Sequence, residues 1–465
     1  MIEKIASERN SMIWIIFHGL LGLVSTVTPW MLIAWFYFVL FINLPELAIA
    51  EKRRYILNWI IFYLTSFEIL ARMVGTSPFV PYELGKYLMF VFLTIGIFFN
   101  NKGAVGFIML LLLIPGIMLG YFESGLKTLV FNALGPVNIA LAIVYFKGQV
   151  IPNQHFISYV RLLLYPLISV LAYTLIKSPA LDEVEFSLNA NFQTTGGFGT
   201  NQVSTVFGAA MFFMFLFIWN KWRFTPYGWV DFIIFFMFGF RGLLSFSRGG
   251  MIGGALAILI VIMVSGRVMI QSRFHSQNIR KLLVYTPLIA IALLGTFLIA
   301  DKVTDGLLSL RYAGETAGTL AGSKEKSLTT LTSSRNDIFI EDFGIFSNHL
   351  VLGIGVGQSA EHRIKTAGQL PHVELSRLLS EHGLPGLIYF LILSYQGWYI
   401  FYHRKRLLFG NILLAFFILA LYTTFHAATR SYFTPLLIGV SMLYVSRFSH
   451  FSRDALIQRK LYISN

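Results

Sequence analysis

Apolar runs of membrane-spanning length recur along almost the whole chain, and they restrict the fold more than any other feature of the sequence. A helix needs about 20 apolar residues to cross a bilayer. In lipid, only helices and closed barrels hydrogen-bond every backbone group, and these runs are continuous rather than alternating. With 12% charged residues against about 25% in soluble domains, the chain lacks a water-facing surface. The sequence therefore predicts an all-α polytopic membrane protein.

The apolar runs predict about fourteen transmembrane helices and a three-part organisation. An N-terminal transmembrane bundle is expected over residues 1–300, a large outer catalytic loop over 301–383, and C-terminal transmembrane helices with a tail over 384–465. The predicted spans are 11–24, 29–44, 55–71, 86–99, 104–121, 128–145, 157–176, 203–219, 229–245, 249–265, 282–300, 384–402, 408–424 and 432–446.

Positive charges set the predicted orientation. The net charge of +14 comes mostly from basic clusters between spans, which the positive-inside rule places in cytoplasmic loops. All clusters fall on one side when the spans are counted. Both termini are therefore predicted cytoplasmic, with membrane lipid as a partner and no nucleic acid. The clusters are Lys52–Arg54, Lys221 with Arg223, Arg267 to Lys281, Arg404–Arg406 and Arg453 to Lys460.

Two arginines near the middle of the chain are candidate anion ligands. Arg241 lies inside an apolar span, where a charge costs at least about 2.5 kcal/mol, and Arg248 follows seven residues later. On a continuous helix the two would share a face, about 10 Å apart, and would suit a diphosphate because guanidinium groups make forked bonds to phosphate oxygens. Gly249 and Gly250 would let a headgroup approach closely. The alternatives are a snorkelling Arg248 and an Arg241 paired with Glu68.

His372 is the candidate general base. Pro371 suits the first turn of a helix, so His372 would lie at an exposed helix N-terminus, where the dipole disfavours a protonated ring. A neutral imidazole is what a general base needs. Downstream, Glu374, Arg377 and Glu381 are spaced to form an ion-pair ladder, with Glu381 also a candidate substrate contact. The alternative is that His372 only caps or hydrogen-bonds its loop.

Two glycine-rich segments have different predicted roles. Residues 195–202 feed a helix N-terminus, a favourable place for an anion, and Asn201 or Thr200 could cap that helix. Asn201 is therefore a candidate substrate contact. Gly353, Gly355 and Gly357 lack the spacing and βαβ context of a dinucleotide loop, so we predict a tight turn.

His426 and Arg430 lie one helical turn apart and form a further candidate contact for the same anion, the alternative being interfacial anchoring. The sequence has no Asp-x-Asp pair, no histidine spacing typical of a metal site and no cysteine. We therefore predict neither a metal site nor a cofactor.

Together these residues resemble the O-antigen ligase/O-antigen polymerase superfamily of bacterial envelope glycosyltransferases. The resemblance covers about residues 190–400. It rests on Ser247-Arg248-Gly249-Gly250 at a turn between helices, followed by a long loop with Ser334-Arg335, the three glycines at 353, 355 and 357, and His372 with Glu381, Gly383 and Gly386 downstream. Gly196 to Gln202 also resembles the family's glycine–asparagine segment. Val373 departs from the pattern, since many members have Asn after the histidine.

The resemblance implies an inverting, metal-independent glycosyltransferase with a GT-C-like fold and a periplasmic active site. Arginines, here Arg241, Arg248, Arg335 and Arg430, would bind the pyrophosphate of an undecaprenyl-diphosphate-linked oligosaccharide, and His372 would deprotonate an acceptor hydroxyl.

The acceptor separates the members of this superfamily, and the sequence leaves it open. A lipid-linked glycan (polymerase) is favoured, partly because of the number of spans, over lipid A–core (ligase) or a protein hydroxyl (oligosaccharyltransferase). Outside this class, many spans and buried arginines would also suit a transporter or flippase for lipid-linked oligosaccharides, and a membrane scaffold is a further alternative. The absence of a visible internal repeat and the large outer loop with its histidine argue against the transporter.

Overall fold

The computed structural model of the protein describes residues 2–271, 281–327, 330, 332, 335–369, 372–404 and 407–446. Several residues named above lie outside these ranges. They are Arg273, Arg280, Ser334, Pro371, Lys405, Arg406 and the predicted tail from residue 447 onward, which includes Arg453, Arg459 and Lys460.

Within the described ranges the chain is almost entirely helical. Before residue 200 the α-helices are α1 (Ile2–Ala6), α2 (Ser11–Val24), α3 (Trp30–Asn43), α4 (Ala50–Thr65), α5 (Glu68–Val74), α6 (Leu84–Ile97), α7 (Ala104–Phe146) and α8 (Asn153–Lys177). After it come α9 (Thr200–Asn220), α10 (Gly228–Leu244), α11 (Arg248–Gln271), α12 (Thr286–Val303), α13 (Leu307–Tyr312), α14 (Ala317–Leu320), α15 (Arg335–Asn348), α16 (Ser359–His362), α17 (Glu374–Tyr399), α18 (Gly410–His426) and α19 (Phe433–Ser441).

Shorter elements join these helices. Single 3-10 turns lie at Glu8–Asn10, Pro45–Ala48 and Gln193–Thr195, and π-helical turns lie at Lys281–Tyr285 and Ile400–Arg404. One departure from the all-α prediction is a small parallel pair of strands, β1 (Val150–Pro152) and β2 (Tyr444–Ser446), with Ile151 opposite Val445. The pair ties the α7–α8 connection to the chain that follows α19.

The predicted count of about fourteen spans is not confirmed. Among the described residues, nine helical segments are long and apolar enough to cross a membrane, and two shorter apolar helices, α6 and α18, accompany them. Helix α2, at 14 residues, is too short to span about 30 Å unaided, whereas α3 reaches spanning length together with the 3-10 turn at Pro45–Ala48. The nine segments are Trp30–Ala48, Ala50–Val74, Ala104–Glu123, Gly125–Phe146, Asn153–Lys177, Thr200–Asn220, Arg248–Ser265, Leu283–Val303 and Glu374–Arg404.

Two long helices contain breaks where the sequence predicts a boundary. Gly125 interrupts α7 with a positive φ of 72° and separates the predicted spans 104–121 and 128–145. Gly383 interrupts α17 with φ 62°, next to the predicted start of a span at 384. Both positions need glycine because other residues rarely adopt this backbone conformation.

Helix α9 is the centre of the bundle. Every residue from Val203 to Trp219 is buried, so this helix is apolar on all sides and packed on all sides, as expected for a core helix. By contrast, α12 buries only Ile289, Thr296 and Ala300 and presents a leucine- and isoleucine-rich outer face, which suits contact with lipid.

Glycines bring α9 and α11 into backbone contact. A Cβ added at Gly250 would overlap the backbone of Ser204, and one at Gly254 would overlap the backbone of Gly208. Small residues at a crossing let two membrane helices approach closely. The close approach also lets the Ser204 hydroxyl donate a hydrogen bond to the Ser247 carbonyl at 2.6 Å.

We expect Gly250→Ala to lower the melting temperature of the detergent-solubilised protein, because the added methyl group must push two helices apart. Overpacking of this kind costs about 1–3 kcal/mol. Gly295→Ala on α12 is the matched control, since nothing lies within 4 Å of its added Cβ and alanine favours a helix by up to about 1 kcal/mol. Equal melting temperatures for the two variants would contradict the proposed tight crossing.

Candidate functional site

A cavity of about 160 Å³ forms where three distant parts of the chain meet. The N-terminus of α9 supplies one wall, the connection between α18 and α19 (residues 427–432, here the 427–432 loop) supplies another, and His372 supplies a third. The lining residues are Phe192, Gly199, Thr200, Asn201, Gln202, Thr205, His372, Thr423, Ala427, Ala428, Arg430, Ser431 and Thr434. The structure thus brings together four predicted site elements: His372, Arg430, Asn201 and the glycine segment before α9.

His372 lies two residues before α17, which begins at Glu374 with Val373 as its N-cap. Its carbonyl oxygen accepts a hydrogen bond from the backbone N–H of Ala428 at 3.1 Å. Its Nδ1 atom is buried and has no hydrogen-bond partner among the described residues. The backbone is therefore anchored to the 427–432 loop while the ring keeps a nitrogen free for a ligand.

Burial lowers the pKa of His372 below its ordinary value, and the positive charges of Arg430 and Arg335 lower this pKa further. The ring is consequently neutral near pH 7. A neutral ring was predicted from the sequence, but the predicted cause was the helix dipole. The structure shows desolvation and neighbouring guanidinium groups instead.

Buried carboxylates hold the 427–432 loop from both sides. Glu374 accepts a hydrogen bond from the N–H of Thr429 at 3.1 Å, and Glu68 accepts one from the N–H of Tyr432 at 3.3 Å. Arg72 pairs with Glu68 at 2.5 Å and donates to the carbonyl of Arg430 at 3.2 Å. The backbone of the loop is thereby fixed around the position of Arg430.

The predicted ion-pair ladder on α17 is present. Arg377 pairs with Glu374 and, at 3.4 Å, with Glu381. Glu381 is buried, also accepts a hydrogen bond from the Ser359 hydroxyl at 3.0 Å, and does not line the cavity. Glu381 therefore supports the packing of α17 against Ser359. The structure does not bring it to the cavity as a substrate contact.

The glycine run at 353–357 is a tight turn, as predicted. All three glycines have positive φ, at 70°, 95° and 89°, and the turn packs against α17 where Gly383 breaks it. There the N–H of Gly355 donates to the carbonyl of Glu381 at 3.1 Å. A Cβ at Gly353 would overlap the backbone of Glu381. Close backbone packing therefore explains the spacing of these glycines.

A second group of positive charges adjoins the cavity and consists of Arg248, Arg335 and Arg311. Arg248 donates to the carbonyl of Arg311 at 2.9 Å, and Arg335 donates to the carbonyl of His426 at 3.3 Å. The guanidinium groups of all three lie within electrostatic range of one another. Among the described residues, no carboxylate forms an ion pair with Arg311 or Arg335. We call these three residues the arginine cluster.

His426 links the arginine cluster to the cavity. It is buried, and its Nε2 atom lies 2.9 Å from the hydroxyl of Thr205, which lines the cavity. Its ring occupies the space beside Gly249, where an added Cβ would overlap it. The sequence analysis assigned Gly249 and Gly250 to the approach of a headgroup. That assignment is wrong, because the space is filled by His426 at one glycine and by the α9 backbone at the other.

Asn201 is positioned by the turn before α11. Its side-chain oxygen accepts a hydrogen bond from the Ser247 hydroxyl at 2.6 Å, and the residue lines the cavity at the N-terminal end of α9. The expectation that Asn201 or Thr200 caps this helix is wrong. Gly199 is the N-cap residue, and no side chain caps it.

The structure does not bring Arg241 to the arginine cluster. Helix α10 ends at Leu244, and Phe246 has a positive φ of 56°, so Arg241 and Arg248 do not share a continuous helix face. The guanidinium of Arg241 donates to the Thr174 and Thr194 carbonyls at 2.7 and 2.9 Å. The alternative pairing with Glu68 is also wrong, because Glu68 pairs with Arg72.

Sequence reasoning missed two arginines. Arg311 lies in no recognisable motif. The only feature in the sequence that could have indicated a role is its positive charge at the end of a short apolar stretch just after a predicted span. Arg72 follows Glu68 by four residues inside an apolar segment. An ionisable pair within a predicted span is a recognised sign of function. In the described part of the chain no three acidic or histidine side chains converge as a metal site, and metal independence stays a prediction.

Comparison with known proteins gives one match. The model of the O-antigen ligase family matches residues 232–391, about a third of the chain, whereas searches of curated proteins and of solved structures found no match. The matched stretch contains Arg248, Arg311, Arg335 and His372, and together with the apolar helices it supports an O-antigen ligase- or polymerase-type activity in a multi-pass membrane protein. The resemblance found in the sequence is thus confirmed, since the match of residues 232–391 to the O-antigen ligase family model supports the O-antigen ligase/O-antigen polymerase superfamily.

Proposed function

We propose that the protein is an inverting, metal-independent glycosyltransferase that acts on undecaprenyl-diphosphate-linked glycan at the periplasmic face of the bacterial inner membrane. The observation that carries this proposal is that the cavity with His372 and the arginine cluster lie next to each other. A neutral His372 with a partnerless ring nitrogen lies at the cavity, and the arginine cluster adjoins it, in which Arg311 and Arg335 have no acidic partner among the described residues. The first suits a general base, and the second suits a diphosphate.

In the proposed reaction, His372 takes the proton from an acceptor hydroxyl as the oxygen attacks C1 of the donor sugar. The bond between C1 and the phosphate oxygen breaks, and its electron pair leaves with undecaprenyl diphosphate. Attack from the opposite side inverts C1. Arg248 and Arg335 bind the diphosphate, and Arg430, in the cavity wall beside His372, adds a further positive charge. We propose that Asn201 contacts the substrate and that Arg241 holds the end of α8 in place.

We keep a second lipid-linked glycan as the favoured acceptor, which would make the protein a polymerase. The number of predicted spans, about fourteen, is part of the reason for favouring a polymerase. The nine candidate spans among the described residues do not strengthen that reason. Lipid A–core and a protein hydroxyl remain the alternatives. A transporter would use the arginines but has no need of a neutral histidine at a cavity.

His372→Ala should lower the turnover rate about 10²–10⁴-fold, the usual share of general acid–base catalysis. The assay uses the purified protein in liposomes with undecaprenyl-diphosphate oligosaccharide, alone or with lipid A–core, in the presence of EDTA. Longer chains from the donor alone indicate a polymerase, and product formed only with lipid A–core indicates a ligase.

His362→Ala is the matched control, because His362 is an exposed histidine in the same outer loop. Unchanged turnover by His372→Ala protein would remove the catalytic role. The absence of any new glycosidic bond from the parent protein, combined with movement of donor across the bilayer, would favour the transporter.

The dependence of kcat/KM on pH should report the lowered pKa of His372. The base works only when neutral, so activity should be constant above this pKa and should fall as the pH drops through it, below the ordinary imidazole value of about 6.5. Arg430→Gln removes a positive charge that lowers this pKa, and the acid limb should move to higher pH. An acid limb that stays in place in this variant would show that another group titrates.

Arg248→Lys should impair transfer although it keeps the positive charge, because lysine cannot make the forked pair of bonds to phosphate. One charged hydrogen bond contributes about 1.5–3 kcal/mol, so donor binding should weaken about 10- to 100-fold. Arg223→Lys is the control, since Arg223 is exposed beyond the opposite end of α9. Normal donor binding by an Arg248→Lys protein that inserts at normal levels would contradict the assignment.

A further inference from the structure

Arg311 is a charged residue that the predicted chemistry does not use. It lies on α13, just after the last membrane-length helix before the outer loop, and its backbone carbonyl accepts a hydrogen bond from Arg248 at 2.9 Å. Its Nε atom is buried without a partner, and among the described residues no side chain or carbonyl accepts a hydrogen bond from its guanidinium. The adjacent hydroxyl of Tyr312 is also buried without a partner.

The other buried arginines differ in this respect. Arg161, Arg241 and Arg404 each have a buried Nε without a partner, but each also donates from its terminal nitrogens to backbone carbonyls. Their guanidinium groups are used by the fold. That of Arg311 has no such bond in the described part of the protein, and its nearest charges are the like charges of Arg248 and Arg335. A partly buried cation beside two others is costly unless an anion binds.

The negative charge of the diphosphate increases when the glycosidic bond breaks, and this increase gives Arg311 a specific role. The donor is a diphosphate diester with two negative charges, which Arg248 and Arg335 can balance, while the charge of Arg430 lies beside His372 in the cavity wall. When the bond to C1 breaks, the diphosphate becomes a terminal phosphate monoester and gains a third charge, since the second pKa of such a group is about 6. A cation that interacts mainly with the negative charge developing in the transition state lowers the activation barrier more than it strengthens donor binding.

We propose that Arg311 stabilises the departing undecaprenyl diphosphate by balancing the negative charge that appears when the glycosidic bond breaks. This inference rests on the proposed function and adds to it a residue that distinguishes product from donor. Arg311 binds the leaving group weakly before transfer and strongly after it. The hydroxyl of Tyr312, on the same helix, is placed to donate a further hydrogen bond to the same anion.

The test is a comparison of donor binding with product binding in protein reconstituted in nanodiscs. For Arg311→Gln we expect an unchanged Kd for undecaprenyl-diphosphate oligosaccharide, a Kd for undecaprenyl diphosphate raised about 10-fold or more, and a kcat lowered about 10²-fold, the effect of removing one group that stabilises developing charge. The donor KM should change little. Arg311→Lys should restore part of the product binding, because it keeps the charge and loses the fork.

Lys324→Gln is the matched control, because it removes one positive charge from an exposed position in the same loop. Equal loss of donor and product binding in Arg311→Gln would overturn the inference, as would equal effects in Arg311→Gln and Lys324→Gln. The binding measurement needs no turnover, so it remains decisive if the parent protein forms no glycosidic bond, which would overturn only the proposed function. Should Arg311→Gln fail to fold, the Arg311→Lys protein must still bind product more weakly than the parent and donor equally well.

Discussion

The backbone of the 427–432 loop depends on two buried carboxylates, and the site depends on that loop. Glu68 on α5 and Glu374 on α17 each accept a backbone N–H of the loop, and each is balanced by an arginine four or three residues further along its own helix. A buried carboxylate without such a partner would be expensive in this environment. The two ion pairs therefore hold the backbone of the loop at both ends. The side chain of Arg430, between them, lines the cavity.

This arrangement divides the positive charges into two kinds. Arg72, Arg363 and Arg377 pair with acids and serve the fold. Arg311 and Arg335 have no described acidic partner and lie near the cavity, so their charge is available to an anion. Burial and the positive charges of Arg430 and Arg335 keep His372 neutral by lowering its pKa. Arg335 is thus common to the two tasks of the proposed transfer, which are binding the diphosphate and keeping His372 unprotonated.

Much of the fold could be predicted from the sequence, and less of the site. Apolar runs located most of the helices and the breaks near Gly125 and Gly383. Charge spacing predicted the ladder on α17 and glycine spacing the tight turn at 353–357, because these features depend on neighbours close in sequence. The roles of Arg241, Gly249 and Gly250 were predicted wrongly because they depend on partners from distant segments, namely α8, His426 and α9. Arg311 was missed for the same reason, since its significance comes from Arg248 and Arg335, which lie on other helices.

The links between Arg72, Gln202 and Arg430 extend the site beyond the family segment. Arg72 donates to the side chain of Gln202 at 2.7 Å and to the carbonyl of Arg430 at 3.2 Å, and none of these three residues lies within 232–391. The matched segment is therefore not a module that can be exchanged by itself. A chimera that takes residues 232–391 from another protein matching the same family model would join a foreign histidine and foreign arginines to the resident 427–432 loop. A change within residues 232–391 that alters the cavity would consequently have to be matched by changes at α5, α9 and the 427–432 loop.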